Sequence, residues 1–232
     1  MIADPHCHTL ASDGMVTPAE LVSAAVTARV NLIAVTDHDT MASVREAQQL
    51  GEAAGLTVVA GQEITTGWPA QTHVVGWFLD RPVRSGMSVE DTVAAIRDQG
   101  GLAIIPHPFI PVYFGSIQPA MLRRLLDATT VDGIETTFTA PLGSRRRRQL
   151  DDFCVAHEER LGARIGGSDC HFGAHDLGCV VTRYEGDFRD AVMRRTTVPL
   201  KTRDRRVPAG IALRQQWRSL IDLPVRRLRG EL

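Results

Sequence analysis

The sequence predicts a single α/β domain in which helices surround a barrel of parallel strands. Short apolar runs of strand length alternate with helical segments about seven times along the chain, the signature of repeated βαβ units. A chain of 232 residues with 44 % apolar residues can bury one sizeable core, and at that length a closed barrel is favoured over an open sheet. Finally, histidines and carboxylates recur where the strand runs end. In a closed barrel those ends meet at one mouth, where barrel enzymes keep their chemistry.

The opening Met1-Ile2-Ala3 reads as a strand that delivers His6-Cys7-His8, with Ser12-Asp13-Gly14 behind it. Residues two apart on a strand share a face, so His6 and His8 point together and Cys7 points away. Thr17-Pro18-Ala19-Glu20 is a capping box with proline at the first helical position, opening a helix to about residue 29. Residues 31–35 form an apolar strand ending in Thr36-Asp37-His38-Asp39-Thr40, and a helix over about 41–54 has Gly55 as its C-terminal cap. Strand 56–60 leads to Gly61-Gln62-Glu63, and β-branched 72–78 begins beside His73. Ser88 caps a helix to about 99, and strand 102–105 presents Pro106-His107-Pro108. A helix over 119–128, a strand over 131–135 and a charged helix over 144–160 follow. Strand 164–166 leads into Gly167-Ser168-Asp169-Cys170-His171, and 178–182 reads as a last strand. The organisation expected is a barrel over 1–200 and a basic C-terminal helix and tail over 201–232, packed on its own barrel or on a neighbour.

A net charge of −1 argues against a general nucleic-acid or membrane-surface binder. No run is long enough to span a membrane, and the N-terminus lacks the basic and apolar regions of a signal peptide, so a cytoplasmic location is expected. Cys7, Cys154, Cys170 and Cys179 show no CxxC pairing and read as reduced, packed thiols.

The candidate ligands are His6, His8, Asp13, His38, Glu63, His73, His107, Asp169 and His171, which use six of the eight histidines. Six imidazoles and three carboxylates suit two or three first-row divalent ions, Mn, Fe or Zn, with Glu63 as a bridge. Without thiolates the set is not a structural zinc site. Divalent ions in such a cluster activate a water at neutral pH and neutralise charge on a phosphoryl group, the needs of phosphate-ester hydrolysis.

These motifs resemble those of the PHP family, the polymerase and histidinol phosphatase superfamily of metal-dependent phosphoesterases. They are His6-Cys7-His8 with Ser12-Asp13-Gly14, Thr36-Asp37-His38-Asp39, Pro106-His107-Pro108 and Gly166-Gly167-Ser168-Asp169-Cys170-His171. Gly61-Gln62-Glu63-Ile64, His73-Val74-Val75-Gly76 and Asp132-Gly133-Ile134-Glu135 fit the pattern between them. The resemblance implies a distorted TIM-like (β/α)7 barrel and a trinuclear site. His6, His8, Glu63 and Asp169 would hold one ion, Glu63, His73 and His107 a second, and Asp13, His38 and His171 a third. It also implies a hydrolase acting by a metal-bridged hydroxide, first as a phosphomonoesterase on a small phosphorylated metabolite or nucleotide. The alternatives are a phosphodiesterase or 5′-3′ exonuclease acting on nucleic-acid ends, and a non-catalytic metal-binding module. Nucleotide-directed relatives of this kind carry an inserted helical lid between the segments matching Phe78-Leu79-Asp80 and Gly100-Gly101. Here only about twenty residues lie between them.

Other residues carry two readings each. His175 is a candidate substrate contact or leaving-group acid, or a loop histidine with structural bonds. Arg145-Arg146-Arg147-Arg148 invites phosphate binding, but four successive helix positions splay, and a solvated face is the plainer reading. The tail arginines Arg226, Arg227 and Arg229 read likewise as solvated. Trp68 and Phe109 to Phe114 are candidates for stacking on a base or for packing. Asp37 and Asp39 could orient imidazoles, with capping of the helix by Asp39 or Thr40 as the alternative, and His157 reads as packing.

Overall fold

The computed structural model of the protein describes residues 1–111 and 115–223, with Val225 and Arg229. Phe114, Arg226 and Arg227, weighed above, lie outside the described residues. Nine strands form one sheet: β1 (Ile2–Cys7), β2 (Leu32–Val35), β3 (Thr57–Thr65), β4 (His73–Trp77), β5 (Leu102–Ile105), β6 (Gly133–Thr137), β7 (Ala163–Gly166), β8 (Val180–Arg183) and β9 (Val198–Lys201). Their order is β7-β6-β5-β4-β3-β2-β1-β8-β9. The seam between β7 and the β8–β9 hairpin is closed by side chains. Thr182 Oγ1 accepts from Gly166 N and donates to Gly166 O, both at 2.8 Å, and Thr197 Oγ1 donates to Arg164 O. The sheet is thus a nearly closed barrel.

The barrel class agrees with the sequence, but the strand directions differ from the all-parallel expectation. β1-β2-β3 and β5-β6-β7 are parallel, whereas β4 runs antiparallel to both neighbours and β8 and β9 are antiparallel additions. The cause at β4 is chain length. Only the loop from Thr66 to Thr72 separates β3 from β4, too little for a parallel crossover. The reversal brings the start of β4 to the mouth, so His73 arrives beside Thr65 and one turn of the ladder from Glu63.

The helices are α1 (Pro18–Thr27), α2 (Val44–Ala54), α3 (Val89–Arg97), α4 (Pro119–Ala128), α5 (Ser144–Ala156), α6 (Glu158–Leu161), α7 (Phe188–Met193) and α8 (Ala209–Trp217). The Thr17 and Glu20 capping box of α1 forms as read, and Gly55 caps α2 in the left-handed region at φ 69°. The charged helix breaks at His157 into α5 and α6, and His157 packs its ring 4.4 Å from Phe153. Between Leu79 and Gly100 the only helix is α3.

Apolar side chains fill two layers outside the sheet, under α1 and α2 and under α3, α4 and α5. Cys7 and Cys170 lie in the first of these, turned away from the histidines as strand alternation requires. All four cysteines are buried free thiols. A third layer fills the barrel interior, where Trp77 packs its ring, tilted, 5.4 Å from that of Phe188 and donates Nε1–H to Pro5 O at 2.9 Å. This plug closes the barrel beneath the mouth, and burying the indole contributes several kcal/mol at about 25 cal/mol per Å².

The C-terminal segment lies on its own barrel. α8 and a π-helical turn, Arg218–Asp222, cross the loop after β1, with Arg218 donating to Ser12 O and Leu10 O. Leu213, Trp217 and Leu220 face solvent. Among the described residues no helix is long and apolar enough to cross a membrane.

Candidate metal centre

All nine residues singled out from the sequence converge in one cup at the mouth. The strands set the inner wall: His6 is the penultimate residue of β1 and Glu63 lies on β3. His107 follows β5 by way of Pro106, and Asp169 and His171 follow β7. His107 (φ 28°) and Asp169 (φ 53°) both sit in the left-handed region, a backbone cost that the surrounding structure must hold in place.

Glu63 is the hub. Its Oε1 lies 2.8 Å from His73 Nδ1 and 3.0 Å from His107 Nε2. Its Oε2 lies 3.1 Å from His6 Nε2, 3.2 Å from His8 Nε2 and 3.4 Å from His38 Nδ1. Asp169 Oδ1 lies 3.4 Å from His6 and 3.2 Å from His8. On the outer side Asp13 Oδ1 lies 3.1 Å from His171 Nε2, 3.7 Å from His38 Nε2 and 3.9 Å from His8 Nδ1.

Three overlapping groups place their ligand-type atoms within 4.8 Å of one another: His6, His8, Glu63 and Asp169; His8, Asp13, His38 and His171; and His38, Glu63 and His73. The first coincides with the set of two imidazoles and two carboxylates that the resemblance assigns to one ion. In the second His8 joins the expected three, and in the third His38 stands beside Glu63 and His73. His107 reaches the same Glu63 oxygen as His73.

The tautomers show what this cup fits. His171 donates Nδ1–H to the carbonyl of Asp169 at 2.8 Å, and His6 donates Nδ1–H to Glu135 Oε1 at 2.8 Å. A neutral imidazole so committed presents a lone pair at Nε2, and both Nε2 atoms face carboxylate oxygens. Neither ring nitrogen of buried His8 makes a well-formed hydrogen bond, although Nε2 is 3.2 Å from two carboxylates. Lone pairs facing carboxylates need a cation between them, either a proton or a metal ion.

In the chain without ions, protons take that part. Burial disfavours charge throughout, yet Asp13 and Asp169 push the His171 imidazole up to about 10. Against their burial, His6 is held well above its ordinary value by Glu63, Glu135 and Asp169, and Glu63 well below its own by His38, His73 and His6. For His38 burial prevails and drops it to about 4.

Two residues that hold this arrangement, Glu135 and Gln215, were not picked out as functional from the sequence, and Asp37 and Asp39 hold it in a way other than the one expected. Glu135 on β6 orients His6 through Oε1 and accepts from His107 N through Oε2 at 2.8 Å. The motif containing it was visible in the sequence, but its task was not. Gln215 of α8 donates to Asp13 Oδ2 at 3.0 Å. Asp37 bonds no imidazole among the described residues, and α2 starts after Ser43 with no side-chain cap from Asp39 or Thr40. The Asp37 carboxylate gathers Thr9 N and Oγ1, Ser12 Oγ and Ser43 Oγ, stitching the loop that carries Asp13. Asp39 accepts from Thr65 N.

The remaining candidates scatter. His175 sits in a short 3₁₀ turn, in a cleft lined by Ala19, Glu20, Phe172 and Ile211 and by none of the nine. Phe109 is fully buried against Phe153, so packing explains it, whereas Trp68 is 83 % exposed on the loop between β3 and β4. Arg147 turns inward to Thr136 O and the Phe138 ring, while Arg145, Arg146 and Arg148 line an outer cleft with Arg123.

A family model described as the PHP domain matches residues 4–103. An uncharacterized protein of Methanocaldococcus jannaschii is 33 % identical over 146 residues, which span 58 % of this chain and 80 % of that one. The chain belongs to the PHP family. Other relatives include a 3′,5′-nucleoside bisphosphate phosphatase of Chromobacterium violaceum, 25 % identical over 81 % of this chain and 73 % of its own length. A 5′-3′ exoribonuclease of Haemophilus influenzae is 35 % identical over 44 % of this chain, which spans only 37 % of that enzyme. Among solved structures, a two-domain protein of Bacteroides vulgatus with a PHP-like metal-dependent phosphoesterase has a TM-score of 0.69 at 21 % identity, covering 87 % of this chain and 64 % of that one.

Two glycines of the PHP motifs have steric reasons to be there. A Cβ on Gly14 would lie 2.6 Å from the His8 carbonyl carbon, and one on Gly167 would lie 2.5 Å from Glu135 Oε1 and 2.9 Å from His6 Cβ. Both spots are where backbone passes directly behind a candidate ligand.

Proposed function

We propose that this chain is a metal-dependent phosphoesterase whose nine clustered side chains hold two or three divalent ions, Mn, Fe or Zn. The observation that carries the reading is the pair of imidazoles, His6 and His171, each with Nδ1–H committed and Nε2 aimed at carboxylates. A cup lined by Asp13, Glu63 and Asp169 would repel a phosphate group on its own. With cations in place the same cup attracts it. Bound divalent ions supply an activated water and Lewis-acid stabilisation of phosphoryl charge. The chain's own residues do the rest. Glu135 fixes the His6 tautomer, the Asp169 carbonyl fixes that of His171, and Glu63 joins the inner histidines to His38 and His73 through its two oxygens.

The first substrate reading is a phosphomonoester of a small metabolite or nucleotide, supported by the relation to the bisphosphate phosphatase. The four reduced, buried thiols suit work in the cytoplasm. A second reading, cleavage at a nucleic-acid end, is favoured by a specific surface. Arg123, Arg145, Arg146 and Arg148 line a cleft of about 720 Å³ between α4 and α5, helices that begin just after the loops of the mouth. None of the four is in an ion pair with a described residue, and guanidinium forks match phosphates.

Hydrolysis of p-nitrophenyl phosphate, its bis-ester and a 5′-phosphorylated oligonucleotide separates these readings. The expected order of kcat/KM with Mn, Fe or Zn loaded puts the monoester first, and a clear preference for the oligonucleotide would move the assignment to the second reading. Asp169→Ala is expected to abolish turnover in a chain that stays folded. Near wild-type turnover in that variant would remove the site assignment, and inactivity of the fully loaded wild type toward all three esters would leave a non-catalytic metal-binding module.

A further inference from the structure

We infer that Gln215, on the C-terminal helix, is a positioning residue for the outer part of the metal centre, so that α8 belongs to the site as a fixed strap. This rests on the metal-centre reading above and extends it to a segment that lies outside the residues matched by the family model.

Gln215 is 202 residues from Asp13 in sequence, is 6 % exposed, and places Nε2 3.0 Å from Asp13 Oδ2. The amide orientation follows from its partners. Gln216 Nε2 donates to Gln215 Oε1 at 3.0 Å, and a carboxylate can only accept, so the Gln215 nitrogen faces Asp13. With Oδ2 occupied by this donor, Oδ1 is the oxygen turned to His171, His38 and His8 at 3.1, 3.7 and 3.9 Å. Asp13 sits on a loop, and no strand fixes its carboxylate plane. Without Gln215 the plane is free to rotate and to present either oxygen, or both, to an ion.

The way α8 docks supports a role beyond packing. Leu213, Trp217 and Leu220 point to solvent, and the side chain buried toward the mouth is an amide. The helix is held by polar contacts at the same loop, through Gln215 to Asp13 and through Arg218 to Ser12 O and Leu10 O. Such a helix gains little from apolar burial where it meets the mouth. Its docking and the geometry of Asp13 are therefore coupled, and by linkage an ion that binds Asp13 in this orientation favours the docked helix, just as the docked helix favours the ion.

The test is a titration of the full, metal-stripped chain with MnCl2 followed by calorimetry and native mass spectrometry, on wild type, Gln215→Leu and Arg218→Ala. Leucine keeps the volume and the helix but removes the donor. The expected result is that Gln215→Leu binds one ion roughly tenfold more weakly, within the 10–100-fold range of outer-shell partners, while the other ions and the melting temperature of the stripped protein stay near wild type. Arg218→Ala, which loosens the helix but keeps the amide, should weaken the same ion by less. An unchanged isotherm for Gln215→Leu would overturn the inference. So would equal weakening of every ion together with a lower melting temperature of the stripped protein, the signature of a purely structural strap. If the wild type takes up no Mn, it is the metal-centre reading that fails, a result distinct from the other two.

Discussion

At the floor of the cup, His6 and Glu63 belong to strands, His107 follows one by way of Pro106, and Glu135 on the neighbouring strand bonds both His6 and the His107 backbone. At the rim, Asp13, His38 and His171 belong to loops, and their order is maintained by the Asp37 hub and by Gln215 from a distant helix. The same two residue types are thus held by the sheet in one place and by isolated backbone bonds and side-chain networks in the other. Ladder hydrogen bonds fix floor positions several at a time, whereas the rim has single backbone contacts, such as the bridge between His38 and Glu63 and Met15 N to His171 O, supplemented by side-chain bonds. The floor should therefore hold its ions tightly and fail only when a hub is lost, and the rim should be adjustable.

The most severe break of that contrast is Glu63→Gln. The variant keeps the shape of a side chain that lies within 3.4 Å of five imidazoles but removes its charge. Two of the three ligand groups contain Glu63, so mass spectrometry should show at least two ions lost, and turnover should fall by on the order of 10³-fold or more. Retention of every ion with ordinary turnover would mean that floor and rim do not share a bridge. Glu135→Gln acts one layer behind. Its amide would set an N–H donor against the His107 N–H or the His6 Nδ1–H, and metal affinity should drop about 10–100-fold in calorimetry, with the floor ions affected first.

Asp37→Asn probes the rim's support. The carboxylate accepts from two hydroxyls and an amide of the Asp13 loop and from Ser43, and an amide in its place can accept only at one oxygen. The buried donors left over cost about 1–3 kcal/mol each, so the expected result is a loss of about 2–3 kcal/mol in urea unfolding together with weaker binding of the outer ion. A change in metal binding without a change in stability would contradict the loop-stitching role.

This contrast also explains how much could be read from the chain alone. The floor was legible because strand alternation and strand ends are local properties: His6 and His8 two apart, Glu63 and His107 at the ends of apolar runs. The barrel class followed from the same alternation. The direction of β4 turned on the shortness of the loop from Thr66 to Thr72, which forbids a crossover, and β9 and α7 lay in a stretch with little apolar periodicity. The partners of the rim were not legible, since Gln215 pairs with Asp13 across 202 residues and a glutamine on a basic helix carries no signal of its own. Asp37 was noticed as a neighbour of His38, but a strand-end carboxylate can serve a loop as readily as an imidazole, and only the fold decides between them.

The mildest probe of the rim is pH. In the stripped chain the folded state holds His171 protonated up to about 10, against an ordinary 6.5. A group whose pKa rises on folding contributes stability that is complete below 6.5 and is lost as pH climbs toward 10. His8 and His107 are shifted in the same direction, burial notwithstanding, His8 by the nearby Asp169 and Glu63 carboxylates and His107 by its hydrogen bond to Glu63. His38 works oppositely: burial lowers it to about 4, so folding gains from its neutrality only as pH rises from 4 to 6.5. The stability of the stripped protein, followed by urea unfolding in chelator, should therefore peak near pH 6.5 and decline toward pH 10. With Mn present the decline should flatten or reverse, because the ion takes the place of the proton and its affinity grows as the imidazoles lose theirs. A stripped protein whose stability keeps rising through pH 9 would show that the rim histidines are neutral in the folded chain and that the carboxylates around them are balanced in some other way.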